Sequence, residues 1–508
     1  MMLVPLLTAL APLVVQDAPA PKTTPTTATP QAQASKPTVT TRADLARAYL
    51  RFETTLHDHP PKPERWPEIN RAFDKLTMDF FLGNGAAAIR KLEELTASIH
   101  APPSILAAST TVVLEMDRAS GGSPRIVVTV RTAPSAASAS TQAPPELVFR
   151  SWSYSDWFFD ERTEIDQLRI SWPLSKVAGP STWIIPETEA ARIMAAYDAS
   201  LSLAEPCGWF VQEGHTLRAL PYVFLDTPGY AATLTRIDET LRTVVPDGPP
   251  LEQALASCRA RALLLRTPRS TDQSSIFLQD LHRFANSVER EAGALARGED
   301  PYRRRADDHW RVVRVGDKDV PVRVFAPRPQ KAGPRPLVVA LHGAGGDENM
   351  FFDGYGAGRI QDLATDRDFV CVTPRVGFTG LSGETFDAIV RAMIYDHAID
   401  PKRIYVLGHS MGAGAAYSLA VSRADTIAAV ACIAGGAQGT PPQSIAPLLV
   451  VAGELDPIVN ASGLEQGSQR LKSAGLPVQF ELVKGFGHTL VVGERLPAVV
   501  DWLLSHTR

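Results

Sequence analysis

Cysteine is scarce in this sequence: Cys207, Cys258, Cys371 and Cys432 are the only four among 508 residues. No two form a C-x-x-C pair and none falls at metal-ligand spacing, which removes the common zinc and dithiol chemistries. Cys371 and Cys432 lie in apolar, strand-like runs and read as buried thiols. For Cys207 and Cys258 a disulfide and free thiols both stay open, because connectivity is not readable from sequence. An excess of charge is also missing. Lys and Arg number 51 and Asp and Glu 55, a net charge of −4, which gives no electrostatic basis for nucleic acid or an anionic membrane as partner. The N-terminal apolar run, Leu3 to Val15, falls short of the roughly 20 residues that a bilayer-spanning helix needs. No unit recurs every 40–50 residues or so between 41 and 300, as a propeller's blades would.

What is present divides the chain, which at 508 residues is too long for one core. Leu3 to Val15, followed by small residues through Ala20, reads as a signal peptide over 1–20. The expectation is an exported protein, periplasmic or secreted, with no membrane insertion after signal removal. Residues 21–40 are rich in Pro, Thr, Ala and Gln and read as a disordered linker. Over 41–100 three apolar stripes recur at helical spacing: Leu45, Tyr49, Phe52 and Leu56; Ile69, Phe73, Leu76 and Phe80; Ile89, Leu92, Leu95 and Ile99. They predict a helical bundle whose stripes are core. Residues 101–300 mix strand-like and helical stretches, an α+β region without a recognisable motif. Its five tryptophans, Trp152, Trp157, Trp172, Trp183 and Trp209, read as core more readily than as a carbohydrate platform.

From 301 to 508 apolar strands alternate with helices, the pattern of a mostly parallel sheet covered on both faces. The strand ending near Leu407 runs into Gly408-His409-Ser410-Met411-Gly412, a G-x-S-x-G turn that lifts a serine above the sheet at the head of a helix. A serine hydroxyl needs a base, and the base needs an orienting acid. Downstream strands end at Gly453-Glu454-Leu455-Asp456-Pro457 and Gly485-Phe486-Gly487-His488. The order nucleophile, acid, histidine assigns Ser410, Asp456 and His488, with Glu454 the less favoured acid. His409, beside the serine, reads as lining the turn. The tetrahedral oxyanion would be held by the backbone N–H groups of Met411 and of Ala344, the latter in His342-Gly343-Ala344-Gly345-Gly346. Phe351, Phe352 and Tyr355 are read equally as acyl-side lining or as core. The interval Ala434 to Ala446 is rich in Gly, Pro, Gln and Ser and too short for a lid helix.

These motifs, with Ile399-Asp400-Pro401-Lys402-Arg403-Ile404-Tyr405 before the serine turn, resemble the α/β-hydrolase superfamily. Within it the pattern is most similar to secreted esterases grouped with polyhydroxybutyrate depolymerases and feruloyl esterases, with dienelactone-hydrolase-like proteins close behind. The resemblance covers about the last 200 residues. It implies an eight-stranded α/β-hydrolase sheet and hydrolysis of carboxylic esters, small or polymer-borne, through an acyl-enzyme, without metal or organic cofactor. A serine peptidase similar to prolyl oligopeptidases and a non-catalytic hydrolase-like binding protein are the rival readings.

Overall fold

The computed structural model describes residues 42–81, 84–100, 110–117, 125–132, 146–154, 164–173, 183–200, 207–213, 216–219, 222–265, 281–328, 333–377 and 380–508. The expected signal peptide and linker lie outside them, as does Trp157. The described residues open with α1 (Arg42–Asp58), α2 (Trp66–Phe81) and α3 (Gly85–Ile99). Next come β1 (Thr110–Asp117), β2 (Arg125–Thr132), β3 (Glu146–Tyr154), β4 (Glu164–Pro173), β5 (Trp183–Ile184), α4 (Glu187–Ser200), β6 (Cys207–Glu213), β7 (Thr216–Ala219) and β8 (Tyr222–Asp226). These strands make two four-stranded sheets, β5-β2-β1-β8 and β4-β3-β6-β7. Trp172 and Trp209 are buried, with rings 5.9 Å apart, Trp183 lying 5.1 Å from Trp172 and Phe149 5.2 Å from Trp209. These rings fill one another's space, as core aromatics do.

Helices α5 (Thr227–Thr243), α6 (Pro249–Leu264) and α7 (Leu281–Ala296) follow and form a cluster closed by Tyr302 and Trp310. Cys258 is buried there as a free thiol, as are Cys371 and Cys432 in the C-terminal region, so Cys258 is in no disulfide.

The last part holds β9 (Asp307–Val315), β10 (Lys318–Ala326), β11 (Arg335–Leu341), α8 (Ile360–Arg367), β12 (Val370–Pro374), α9 (Gly383–Asp396), β13 (Ile399–His409), α10 (Met411–Ser422), β14 (Ala429–Ile433), β15 (Leu448–Gly453), α11 (Ala461–Ser473), β16 (Val478–Val483) and α12 (Leu490–Leu504). They build an eight-stranded sheet, ordered β9-β10-β12-β11-β13-β14-β15-β16. The two pairings made by β10 are antiparallel and those from β12 through β16 are parallel. Alternation along each strand divides its side chains between two faces. Leu337, Val339 and Leu341 join the core under α9, α10 and α11, whereas Val338 and Ala340 join the opposite one with α8 and α12. This is the mostly parallel, two-sided sheet expected from the apolar runs.

Helices α1 to α3 share that second core. Phe52, Leu56, Ile69, Phe73, Leu76 and Leu92 are buried in one cluster with Phe351, Tyr355, Phe486 and the apolar face of α12. Helix α6 meets the edge strand in turn, with Ser257 Oγ 3.1 Å from the Val312 N–H. Between β14 and β15 the chain carries no helix, so no lid is inserted there. Among the described residues no helix is long and apolar enough to cross a membrane.

Candidate active site

The serine turn is tight because two backbones meet in it. A Cβ on Gly408 would stand 2.2 Å from the Gly412 carbonyl oxygen, and one on Gly412 would stand 2.2 Å from that of Leu341. Neither contact is sterically possible, so both positions need glycine. Ser410 itself adopts φ 54° and ψ −114°, a strained conformation for a non-glycine residue. Its N–H donates to Ile433 O at 2.9 Å. The strain presents Oγ at the N-terminus of α10.

Two loops at the carboxyl ends of β15 and β16 bring the partners. His488 Nε2 lies 2.9 Å from Ser410 Oγ, and His488 Nδ1 lies 2.8 Å from Asp456 Oδ2. The Asp456 side chain is buried, and its Oδ1 accepts the N–H groups of Ile458 and Val459, each at 2.8 Å. Glu454 points elsewhere: it is exposed, and its Oε2 accepts the Gly485 N–H at 2.9 Å. The geometry therefore places Asp456, and not Glu454, on the histidine.

The loop after β11 lies against the serine, since a Cβ on Gly343 would stand 3.3 Å from Ser410 Cβ. Ala344 and Met411 donate no backbone hydrogen bond among the described residues, which leaves both N–H groups available to an oxyanion. Three hydrogen bonds tie this loop to the histidine. The Gly343 N–H donates to Tyr355 Oη at 3.2 Å, Tyr355 Oη is 2.7 Å from His409 Nδ1, and His409 Nε2 is 3.0 Å from His488 O. A carbonyl only accepts, so His409 carries its proton on Nε2 and takes the tyrosine's proton donation on Nδ1. Burial, then the nearby His488, holds His409 well below its ordinary pKa, so it is a neutral brace. Tyr355, Phe351 and Phe352 are all buried in the core cluster.

Asn70 and Asp74, absent from the sequence reading, reach the site from α2. The Gly487 N–H donates to Asn70 Oδ1 at 2.8 Å and the His488 N–H to Asp74 Oδ2 at 3.2 Å. Trp66 packs on Phe486 with ring centroids 5.0 Å apart. A Cβ on Gly487 would fall 1.8 Å from Asp74 Oδ2. Burial pushes the Asp74 carboxyl up to about 6, against the lowering effect of the His488 N–H and the His488 ring. Helix α1 touches the Tyr355 segment likewise: Glu53 Oε2 accepts the Gly356 N–H at 3.2 Å, and Tyr49 donates to Glu53 Oε1 at 2.7 Å. Burial raises Glu53 to about 7 against those two hydrogen bonds. The available signal was polar residues spaced i, i+4 beside the apolar stripe of α2, a pattern that ordinary solvated helix faces share. Among the described residues no three His, Cys, Asp or Glu side chains gather as a metal site.

No curated protein matches the chain. Solved structures similar to it include a thermostable esterase, at 20% identity and TM-score 0.34, with 40% of this chain and 64% of that one covered. A ferulic acid esterase stands at 16% identity and TM-score 0.34, covering 40% of this chain and 99% of that one. A hyperthermophilic esterase from the archaeon Pyrobaculum calidifontis stands at 19% and 0.33, covering 40% and 84%. The chain thus spans just under two thirds of the first of these. Residues 373–498 match the model of the dienelactone hydrolase family, a stretch that contains Ser410, Asp456 and His488 and excludes Ala344 and the whole of α2. The C-terminal region is an α/β-hydrolase fold carrying this dienelactone hydrolase family match.

Proposed function

We propose that the chain is a serine-dependent carboxylic-ester hydrolase that works through an acyl-enzyme. The observation that carries this reading is the continuous line from Asp456 Oδ2 through the His488 ring to Ser410 Oγ, at 2.8 and 2.9 Å. In the first half-reaction Ser410 Oγ attacks the ester carbonyl carbon as His488 Nε2 takes its proton. Asp456 orients the ring and stabilises the imidazolium that forms. The N–H groups of Met411 and Ala344 hold the oxyanion, each donor worth about 10²–10³ in turnover. His488 then protonates the departing alkoxide, and water repeats the sequence on the acyl-enzyme to release the acid and restore Ser410. Every atom in this cycle comes from the chain, the ester and water.

The helix-free interval between β14 and β15 supports an uncovered acyl entrance, suited to small esters or to esters on a polymer. Export is part of the same proposal, supported by the apolar run Leu3 to Val15. The test is a panel of chromogenic esters and peptides given to the wild type and Ser410→Ala. Ester turnover that vanishes in the variant supports the reading, and peptide turnover with no ester turnover overturns it.

A further inference from the structure

We infer that α2, more than 400 residues ahead of the histidine, supplies the positioning residues of the catalytic base: Asn70 and Asp74 hold the backbone of Gly487 and His488 and thereby set the aim of the imidazole at Ser410 Oγ. The inference deepens the ester-hydrolase reading and rests on it.

Two consecutive backbone N–H groups, at Gly487 and His488, are both satisfied by side chains one helical turn apart on α2. Residues at i and i+4 project from the same face, so a rigid helix offers two acceptors at a fixed separation to a loop with no regular partner of its own. Asn70 is itself held, donating from Nδ2 to Trp66 O at 2.9 Å. Both side chains are buried, so water does not compete for the two N–H groups. The fit leaves no slack, because Gly487 admits no side chain against Asp74. Among the described residues Asp74 Oδ1 is buried without a hydrogen-bond partner, an unfavourable arrangement for core filling alone. The ring of His488 already has both nitrogens engaged, by Asp456 and Ser410. Its backbone is therefore the remaining point from which to aim it, and α2 together with His409 occupies that point. A base displaced by about 1 Å can lose about 10²-fold in rate.

The experiment uses the full chain and the second-order rate of fluorophosphonate labelling at Ser410, which reports the serine–histidine pair whatever ester is preferred. It is read beside kcat and KM on a chromogenic ester and the melting temperature. Asp74→Leu and Asn70→Ala are expected to slow labelling and lower kcat by about 10–10²-fold with KM little changed. Asp74→Asn keeps an oxygen facing the His488 N–H and is expected to recover most of both rates. Asn70→Ala decides the matter by itself should Asp74→Leu fail to fold. Variants that melt earlier yet label and turn over at the wild-type rate would make α2 a merely stabilising element and overturn the inference while leaving the ester-hydrolase reading intact. A wild type that is not labelled at Ser410 removes that reading and this inference with it.

Discussion

Asp456→Asn changes one atom, and the surrounding hydrogen bonds dictate how. The carboxylate now has Oδ1 under two N–H donors, from Ile458 and Val459, and Oδ2 facing His488 Nδ1 at 2.8 Å. An asparagine must leave its oxygen under the two donors, since turning the amide over would set NH₂ against two N–H groups. Its nitrogen then faces Nδ1 and donates to it. A neutral imidazole forced to accept at Nδ1 carries its proton on Nε2, the atom 2.9 Å from Ser410 Oγ, and cannot take the serine's proton. The expected loss is about 10⁴-fold in kcat, or about 5 kcal/mol of transition-state stabilisation, with KM changed little. Glu454→Gln is the paired control. Glu454 is exposed and, among the described residues, its side chain meets only the Gly485 N–H, a hydrogen bond worth about 1 kcal/mol, so its variant should stay within about fivefold of wild type. The assay is kcat and KM on one chromogenic ester, with circular dichroism to verify folding. An Asp456→Asn enzyme within tenfold of wild type, or a Glu454→Gln enzyme that is the weaker of the two, would refute the tautomer argument.

Ser410→Ala should lose on the order of 10⁶ in turnover and all fluorophosphonate labelling; labelling that persists places the nucleophile elsewhere. Glu53, raised by burial from 4.5 to about 7, stays protonated in the folded chain while the unfolded chain ionises. Stability is accordingly lost as pH rises between those values, by about 3 kcal/mol. Urea unfolding at pH 4 and pH 8 should show Glu53→Gln relieved of that decline, and parallel curves for variant and wild type would contradict it. A chain begun at Pro301 lacks the helices that cover Phe351, Tyr355 and Phe486, so it should be insoluble or unlabelled at Ser410. A soluble truncated chain with the wild-type labelling rate would sever α1 to α3 from the site.

How much of this was legible beforehand follows from the range of the interactions. The parallel sheet was readable because a strand buried on both faces must be apolar throughout, as Leu337 to Leu341 and Leu448 to Ala452 are. The serine turn was readable because the close contact of Gly408 with Gly412 lies within the motif itself, whereas that of Gly412 with the end of β11 is tertiary. Position at a strand's end likewise favoured Asp456 and His488, since in this fold such loops gather above the sheet. Sequence left Phe351, Phe352 and Tyr355 divided between core and acyl lining, because an aromatic beside a loop satisfies either; only packing against α1 and α12 made them core. The destination of the α2 stripe was hidden for the same reason. Ile69 and Phe73 declare a buried face whatever they are buried against, and nothing local to Asn70 or Asp74 names Gly487 or His488. Hydrogen bonds across more than 400 residues have no periodicity to leave in the chain. They exist only once the sheet has carried the histidine loop to the helix, so the serine turn was a property of the sequence and the support of the histidine loop a property of the fold.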